Sequence, residues 1–98
     1  MITTKQRAYL RGLANKENAI LQVGKDGMND PLIENIREAL EARELVKVSC
    51  LETCPITAKD AIAAVLEKIE GSDPVQVIGR KFVIYKRNLK EPKIVLPR

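Results

Sequence analysis

Two strand-like runs near the end of the chain are separated by a very short connection. "VQVIG" and "KFVIYK" lie on either side of a turn at Gly79 and Arg80, which predicts an antiparallel hairpin. Two earlier strand-like runs, "AILQV" at 19–23 and "LVKVSCL" at 45–51, are instead separated by a helix-length segment, which predicts parallel pairing. A mixed four-stranded sheet covered by helices satisfies both requirements.

Three segments show the apolar periodicity of amphipathic helices. The residues that can cap their starts are Thr3 or Thr4, Asn29 or Asp30, and Thr57. The predicted order is therefore α-β-α-β-α-β-β, an α/β fold in a single domain over residues 1–98. Run 19–23 is expected to be buried on both faces. In the strand at 45–51, Val46, Val48 and Cys50 are expected to share one buried face.

The first helix separates apolar from basic side chains. Its buried stripe is predicted to consist of Tyr9, Leu10, Leu13 and Ala14. The opposite arc carries cations and two small residues: Lys5, Arg7, Arg11 and Lys16, with Ala8 and Gly12 between them. Small residues flanked by cations would let a sugar-phosphate backbone approach closely. Alternatively, Gly12 makes room for a neighbouring strand or loop.

Charge is distributed unevenly along the chain. Residues 1–31 carry a net charge of +2, residues 32–71 a net −3 and residues 72–98 a net +5, giving the overall +4. Such asymmetry produces one face suited to a polyanion, provided that the two ends fold near each other. A simpler alternative is that the basic tail, about residues 87–98, only aids solubility.

Composition argues against several functional classes. No apolar run approaches the roughly 20 residues of a membrane-spanning helix, so a soluble, cytoplasmic protein is expected. The chain has no histidine and two cysteines, which makes a metal centre or other cofactor improbable. Cys50 is expected to pack in a strand and Cys54 to be a loop thiol. Ser49 and Ser72 have no nearby base, so an enzyme is not expected.

The loop Gly24-Lys25-Asp26-Gly27 lies between a strand and a helix. Glycines permit positive φ and close backbone approach, the helix N-terminus favours anions, and Lys25 adds a mobile cation. These features are those of the GxxG loop with which KH domains clamp nucleic-acid backbone. Asp26 argues the other way because it repels phosphate, unless it turns inward to cap the loop's own N–H groups. The spacing alone is more typical of a plain turn than of a phosphate site.

Several segments together resemble a known family. The stretches "TTKQRAYLRGLA", "LQVGKDGMND", "ALEARELVKV", "VQVIGRKFVIYKRN" and "PKIVLPR" look like the YhbY family, the stand-alone form of the CRM domain. The resemblance runs in order through nearly the whole chain. It implies the same α-β-α-β-α-β-β order and a fold similar to the C-terminal domain of bacterial translation initiation factor three. It also implies RNA binding and association with precursors of the large ribosomal subunit.

The resemblance assigns RNA-binding roles to particular residues. They are the loop residues Gly24, Lys25, Asp26 and Gly27, the first-helix cations Lys5, Arg7 and Arg11, and Arg80 of the Gly79-Arg80 turn. Arg80 could also be a solvent-facing turn residue. Ala8 and Asp26 depart from the family pattern, which lowers the expected affinity for RNA.

The expected partner is ribosomal RNA or a large-subunit precursor, bound through its phosphates by a monomeric protein. A second hypothesis is a protein-interaction module that docks a ribosomal protein or another factor. DNA binding is a third, less favoured because no recognition helix carries base-reading residues. Tyr9, Phe82 and Tyr85 are the only aromatic residues, and Tyr9 is expected in the core, so recognition by base stacking is not predicted.

Overall fold

The computed structural model describes residues 2–98, which form three helices and a four-stranded sheet. In chain order the elements are α1 (Thr4–Ala14), β1 (Leu21–Val23), α2 (Asp30–Arg43), β2 (Leu45–Cys50), α3 (Ala58–Lys68), β3 (Asp73–Ile78) and β4 (Lys81–Tyr85). The predicted order of helices and strands is confirmed.

The sheet is mixed, with the strand order β1-β2-β4-β3. β1 pairs with β2 in parallel, whereas β4 runs antiparallel to both β2 and β3. The predicted final hairpin is therefore present. β4 fills the position between β2 and β3, which leaves β1 and β3 as the two edge strands.

The helices cover both faces of the sheet. Val46, Val48 and Cys50 of β2 point towards α2 and α3, together with Phe82 and Ile84 of β4, and form the larger core cluster. The alternate β4 residues, Val83 and Tyr85, belong to a second cluster with Leu10 and Ala14 of α1. Because strand side chains alternate between faces, α1 lies on the opposite face of the sheet from α2 and α3.

Each helix begins at one of the predicted caps. The Thr3 hydroxyl accepts the N–H of Gln6 at 3.1 Å, and the Gln6 side chain accepts the N–H of Thr3 at 2.9 Å. Asn29 caps α2 and Thr57 caps α3 through equivalent side-chain bonds to the first turn. These bonds satisfy N–H groups that a helix start otherwise leaves without partners.

The basic tail is docked against the body of the protein. Gln6 Nε2 donates to the carbonyl of Pro97 at 3.0 Å, while Ile94 and Leu96 pack against the cluster beneath α1. The buried carboxylate of Glu44 accepts the backbone N–H groups of Asn88, Lys93 and Ile94. The tail therefore contributes to the fold as well as to the charge.

Two burial predictions are wrong. Tyr9 is 43% exposed, and Ile20 is 38% exposed. Both exposures have the same cause. Helix α1 packs across β2 and β3, so it does not cover the neighbouring side of the edge strand β1. β1 is also shorter than predicted, and its middle residue, Gln22, is exposed.

Within residues 2–98, no helix has the length and apolar character required to span a bilayer.

Candidate nucleic-acid interface

The two basic ends of the chain meet on one face of the protein. The Gln6–Pro97 hydrogen bond places α1 beside residues 93–98, and we call this surface the basic face. Its exposed cations are Lys5, Arg11, Lys16, Lys93 and Arg98. The exposed acids of α2, on the other side of the sheet, are Asp30, Glu34, Glu38 and Glu41. The condition on which the charge pattern depended, that the ends fold together, is met.

Not all tail cations belong to the basic face. Arg87 and Lys90 line a surface cavity together with Glu38 and Glu41 of α2. Their charges are therefore partly balanced by neighbouring carboxylates. Lys93 Nζ also lies 3.7 Å from Glu91 Oε2, so its charge is partly balanced as well. The remaining cations of the basic face are those of α1, Lys16 and Arg98.

Arg7 differs from the other α1 cations. Its side chain is half-buried, and Nε donates to the carbonyl of Pro74, at the start of β3, at 3.0 Å. Lys5 and Arg11 are exposed on the same helix. Arg7 thus anchors α1 to the sheet, and only the rest of its guanidinium group is available to a ligand.

The glycine loop is a hydrogen-bonded turn. Gly27 N donates to Gly24 O at 3.0 Å, so that Lys25 and Asp26 occupy the two exposed corner positions. Gly27 has φ of +65° and is buried, and a Cβ there would lie 3.5 Å from Pro55 Cγ. Gly24 has no positive φ, and a Cβ there would meet nothing within 4 Å. The fold itself therefore requires glycine at 27 but not at 24.

The corner of the turn carries groups that attract an anion and one group that repels it. Asp26 is exposed, and no residue in the described range 2–98 donates a hydrogen bond to its carboxylate, so the alternative of an inward cap is not realised. In the same range, nothing accepts from the N–H groups of Lys25 and Asp26. Two backbone donors and one ammonium group are thus available at the corner, next to one carboxylate.

Three loops converge at one end of the sheet. Leu51 N donates to Val23 O at 2.9 Å, and Cys50 N donates to Arg80 O at 2.7 Å. These bonds join the ends of β1 and β2 to the β3–β4 turn, where Gly79 has φ of +57° and Arg80 is exposed. Lys25 and Arg80 are therefore at the same end, which we call the loop end.

Comparison with known proteins identifies the family. The model of the CRS1/YhbY (CRM) domain matches residues 2–86. The chain belongs to this CRM domain family. The match includes α1, the glycine loop and the β3–β4 turn, and it ends just after β4.

Proteins similar to this chain come from several bacteria. The chain is 46% identical over 97 residues to the Bacillus subtilis protein named probable RNA-binding protein YqeI, covering 99% of this chain and 100% of the relative. It is 34% identical over 97 residues to a Haemophilus influenzae protein named RNA-binding protein, covering 99% of this chain and 96% of the relative. The solution structure of SAV1595 from Staphylococcus aureus, described as a candidate RNA-binding protein, superposes with a TM-score of 0.77 at 41% identity, covering 99% and 100% of the two chains.

Two further cations in this CRM domain lie at the loop end, although neither was predicted from the sequence as an RNA-binding residue. Lys81 is exposed directly after Arg80, and Lys59 is exposed in the first turn of α3. A cation in the first turn opposes the helix dipole, so Lys59 is unfavourable for the helix itself. The unfavourable position of Lys59 and the adjacency of Lys81 to Arg80 were the two sequence features that could have indicated these residues.

The candidate RNA-binding residues do not form one compact site. Pro74, which anchors Arg7, and Gly79 lie five residues apart at opposite ends of β3, roughly 17 Å for an extended strand. α1 and the loop end therefore form an extended surface. A ligand that touches both must be long, which excludes a small anion as the natural occupant of the whole surface.

The two cysteines are free thiols at the loop end. Cys50 is buried in β2, and Cys54 is half-buried, with Sγ donating to Ile56 O at 3.2 Å. Burial, reinforced by the neighbouring Cys54, raises the pKa of Cys50 to about 11, while Arg80 acts weakly in the opposite direction. Cys50 is thus a protonated packing residue at neutral pH, as predicted.

Proposed function

We propose that this protein binds structured RNA through its phosphate backbone, using the basic face and the loop end together. The observation that carries the proposal is the Gln6–Pro97 contact, which unites the two basic ends opposite the acidic α2. Phosphate contacts supply most of the affinity when cations follow a nucleic-acid backbone. The spread of cations along α1 and the loop end suits such a backbone better than a compact ligand.

The relatives support binding as opposed to catalysis. Two bacterial CRM proteins similar over the full chain carry the name RNA-binding protein, and one solved relative is described in similar terms. We extend that activity to this chain. The ribosomal part of the proposal, a role in assembly of the large subunit, rests on the resemblance to the YhbY family described above.

Each part of the surface has a proposed role. Lys25 and the N–H groups at the turn corner contact one phosphate, and Arg80 contacts another nearby. Gly24 stays small so that the RNA backbone can approach, because nothing within the fold requires a glycine there. Lys5 and Arg11 continue the contact along α1. Gly27 shapes the loop through its positive φ.

The gap beside Gly12 supports the same arrangement. A Cβ at this exposed helical position would meet nothing within 4 Å, so Gly12 does not make room for a neighbouring strand or loop. It lies one residue after Arg11 on the basic helix. A closely approaching RNA backbone gives a reason for the missing side chain.

The test is binding to a large-subunit ribosomal RNA transcript across a salt series. With about four to six phosphates contacted, the slope of log affinity against log salt should be roughly −3 to −5. Arg11→Glu and Lys25→Glu should each weaken binding several-fold and reduce the slope. Lys68→Glu, at an exposed position in the last turn of α3, makes the same change in net charge away from both surfaces and is the matched control.

Circular dichroism confirms that each variant is folded before its affinity is compared. Equal weakening by all three substitutions would indicate only a net-charge effect and would contradict the assigned surfaces. Binding that is insensitive to salt and to all three substitutions would reject the RNA proposal and favour a protein-docking module. A control RNA of equal length distinguishes ribosomal preference from general RNA affinity.

A further inference from the structure

A groove opens on the basic face, between α1, the segment that leads into β1, the start of β2 and the tail. Its volume is about 590 Å³, within the range of known ligand sites. Its larger apolar lining residues are Tyr9, Leu13, Ile20, Leu45, Ile94 and Val95. We call it the α1–tail groove. Lys93 of the basic face lines it, whereas the residues given individual phosphate contacts above, Lys5, Arg11, Lys25 and Arg80, do not.

Tyr9 is the most unusual residue of this groove. The periodicity of α1 places it among the buried positions, yet 43% of it is exposed. The helix beneath it is held firmly, since Leu10 is 0% and Ala14 is 1% exposed. An accessible aromatic ring on a rigid helix is the kind of platform on which unpaired bases stack.

The charges around the groove favour an anionic occupant. Arg43, Lys47 and Lys93 line it, and Glu17 is the one acidic residue among the described lining. Lys47 Nζ donates to the carbonyls of Ala14 and Glu17 at 3.3 and 3.4 Å, which fixes its charge at the groove wall. Apolar walls with a cationic rim match a nucleotide, which has a flat apolar base and a charged phosphate.

The groove is also continuous with the surface already assigned to RNA. Lys93 belongs to both, and Tyr9 lies one helical turn after Lys5 on the same side of α1. An RNA backbone following the exposed cations of α1 passes the mouth of the groove. A base adjacent to that path can enter only if it is unpaired, because a paired base is enclosed within its helix.

We propose that the α1–tail groove receives an unpaired base of the bound RNA, stacked on Tyr9, while Arg43 and Lys93 contact the flanking phosphates. This inference rests on the proposed RNA binding and adds a preference for a single-stranded element beside the structured one. It reverses the sequence-based expectation that stacking plays no part in recognition.

The chain offers a direct spectroscopic test. It has two tyrosines and no tryptophan, and Tyr85 is only 2% exposed, so quenching by a bound base reports mainly on Tyr9. The probe is a single-stranded oligoribonucleotide of mixed sequence, compared with the duplex formed with its complement. We expect the single strand to quench tyrosine fluorescence strongly and the duplex to quench it weakly.

Substitutions at Tyr9 separate stacking from other effects. Tyr9→Phe should retain affinity for the single strand but lose most of the quenching. Tyr9→Ala should reduce affinity by about 5- to 100-fold, as removal of one base–aromatic stack does. Leu89→Ala, at a position 85% exposed and outside the groove, is the control and should change neither quantity.

Failure of this inference can be distinguished from failure of the proposed function. If Tyr9→Ala binds the single strand as well as the native protein, while Arg11→Glu and Lys25→Glu weaken ribosomal RNA binding, the groove assignment is wrong and the RNA proposal stands. If none of these substitutions has an effect, both are wrong. Unchanged tyrosine fluorescence at saturating oligoribonucleotide also overturns the assignment and leaves the groove to a protein segment.

Discussion

The carboxylate of Glu44 accepts the backbone N–H of Ile94 at 2.7 Å, across 50 residues of chain. Glu44 is completely buried and has φ of +64°, in the left-handed region where glycine is usual after a helix. It also accepts the N–H groups of Asn88 and Lys93. Three backbone donors thus compensate the buried charge, and one side chain at the α2–β2 junction holds the tail in place.

Replacing this carboxylate should release the tail. Glu44→Gln leaves one acceptor oxygen and places an NH₂ group opposite backbone donors, so we expect the free energy of unfolding to fall by roughly 2–4 kcal/mol. Chemical denaturation measures the loss, and amide hydrogen exchange at Ile94 reports the release of the tail. Glu41→Gln, on the exposed face of α2, should stay within about 0.5 kcal/mol of the native protein. Similar losses in both variants would contradict the role of Glu44.

The two loop glycines should respond differently to alanine. Gly27→Ala forces a Cβ into the left-handed region at φ of +65°, which costs about 1–2 kcal/mol of stability. Gly24→Ala should cost little stability, because its φ is not positive and a Cβ there has free space. It should nevertheless weaken RNA binding if the backbone approaches at Gly24. Thermal denaturation and an RNA titration of both variants make the comparison, and the prediction fails if Gly24→Ala is the more destabilising.

Alanine at position 12 should stabilise the protein. Gly12 is an exposed helical residue with open space beside it, and the exchange of glycine for alanine within a helix gains about 1 kcal/mol. The melting temperature should therefore rise. RNA affinity should fall in the same variant, since the added methyl group stands where we propose that the RNA backbone approaches. A more stable variant with unchanged affinity would remove Gly12 from the interface.

The buried thiol should make stability depend on alkaline pH. The pKa of Cys50 is raised from 9.0 to about 11, chiefly by burial and then by Cys54. Between these values the unfolded chain has released this proton and the folded protein has not, so stability falls as pH rises from 9 to 11. The contribution is fully present below pH 9.

The Cys50 contribution is isolated by subtraction. Denaturation of the native protein and of Cys50→Ala across this range removes the effects of lysine and tyrosine titration common to both. The native protein should lose more stability, by at most about 1.4 kcal/mol per pH unit. Parallel curves would show that the thiol does not carry the effect.

At pH 8, iodoacetamide should label the more accessible Cys54 before Cys50.

Local patterns were sufficient to predict the elements of the fold. The caps at Thr3, Asn29 and Thr57, the alternation in β2 and the β3–β4 turn depend on neighbouring residues alone, and all are present. The parallel pairing of β1 and β2 followed from the helix between them. The family resemblance agreed with the same order of elements.

Burial that depends on distant parts of the chain was harder to predict. Tyr9 lies on the apolar arc of α1, but its exposure depends on which strands α1 crosses. Glu44 reads as one more acid of an acidic helix, whereas its partners lie 44 to 50 residues away in the tail. Helical periodicity describes the residues of one helix only. The exposure of Tyr9 and the burial of Glu44 depend instead on which other elements pack against them.

The separation of α1 and the tail from α2 gives the protein a directed electric field. A polyanion at a distance attracts the cations of α1 and the tail and repels the carboxylates of α2, so the protein rotates before contact is made. Such pre-orientation raises the rate of association, and the advantage disappears as salt shortens the range of the field. The acidic helix then faces away from the RNA, where its charge disfavours a second strand on the far side of the sheet.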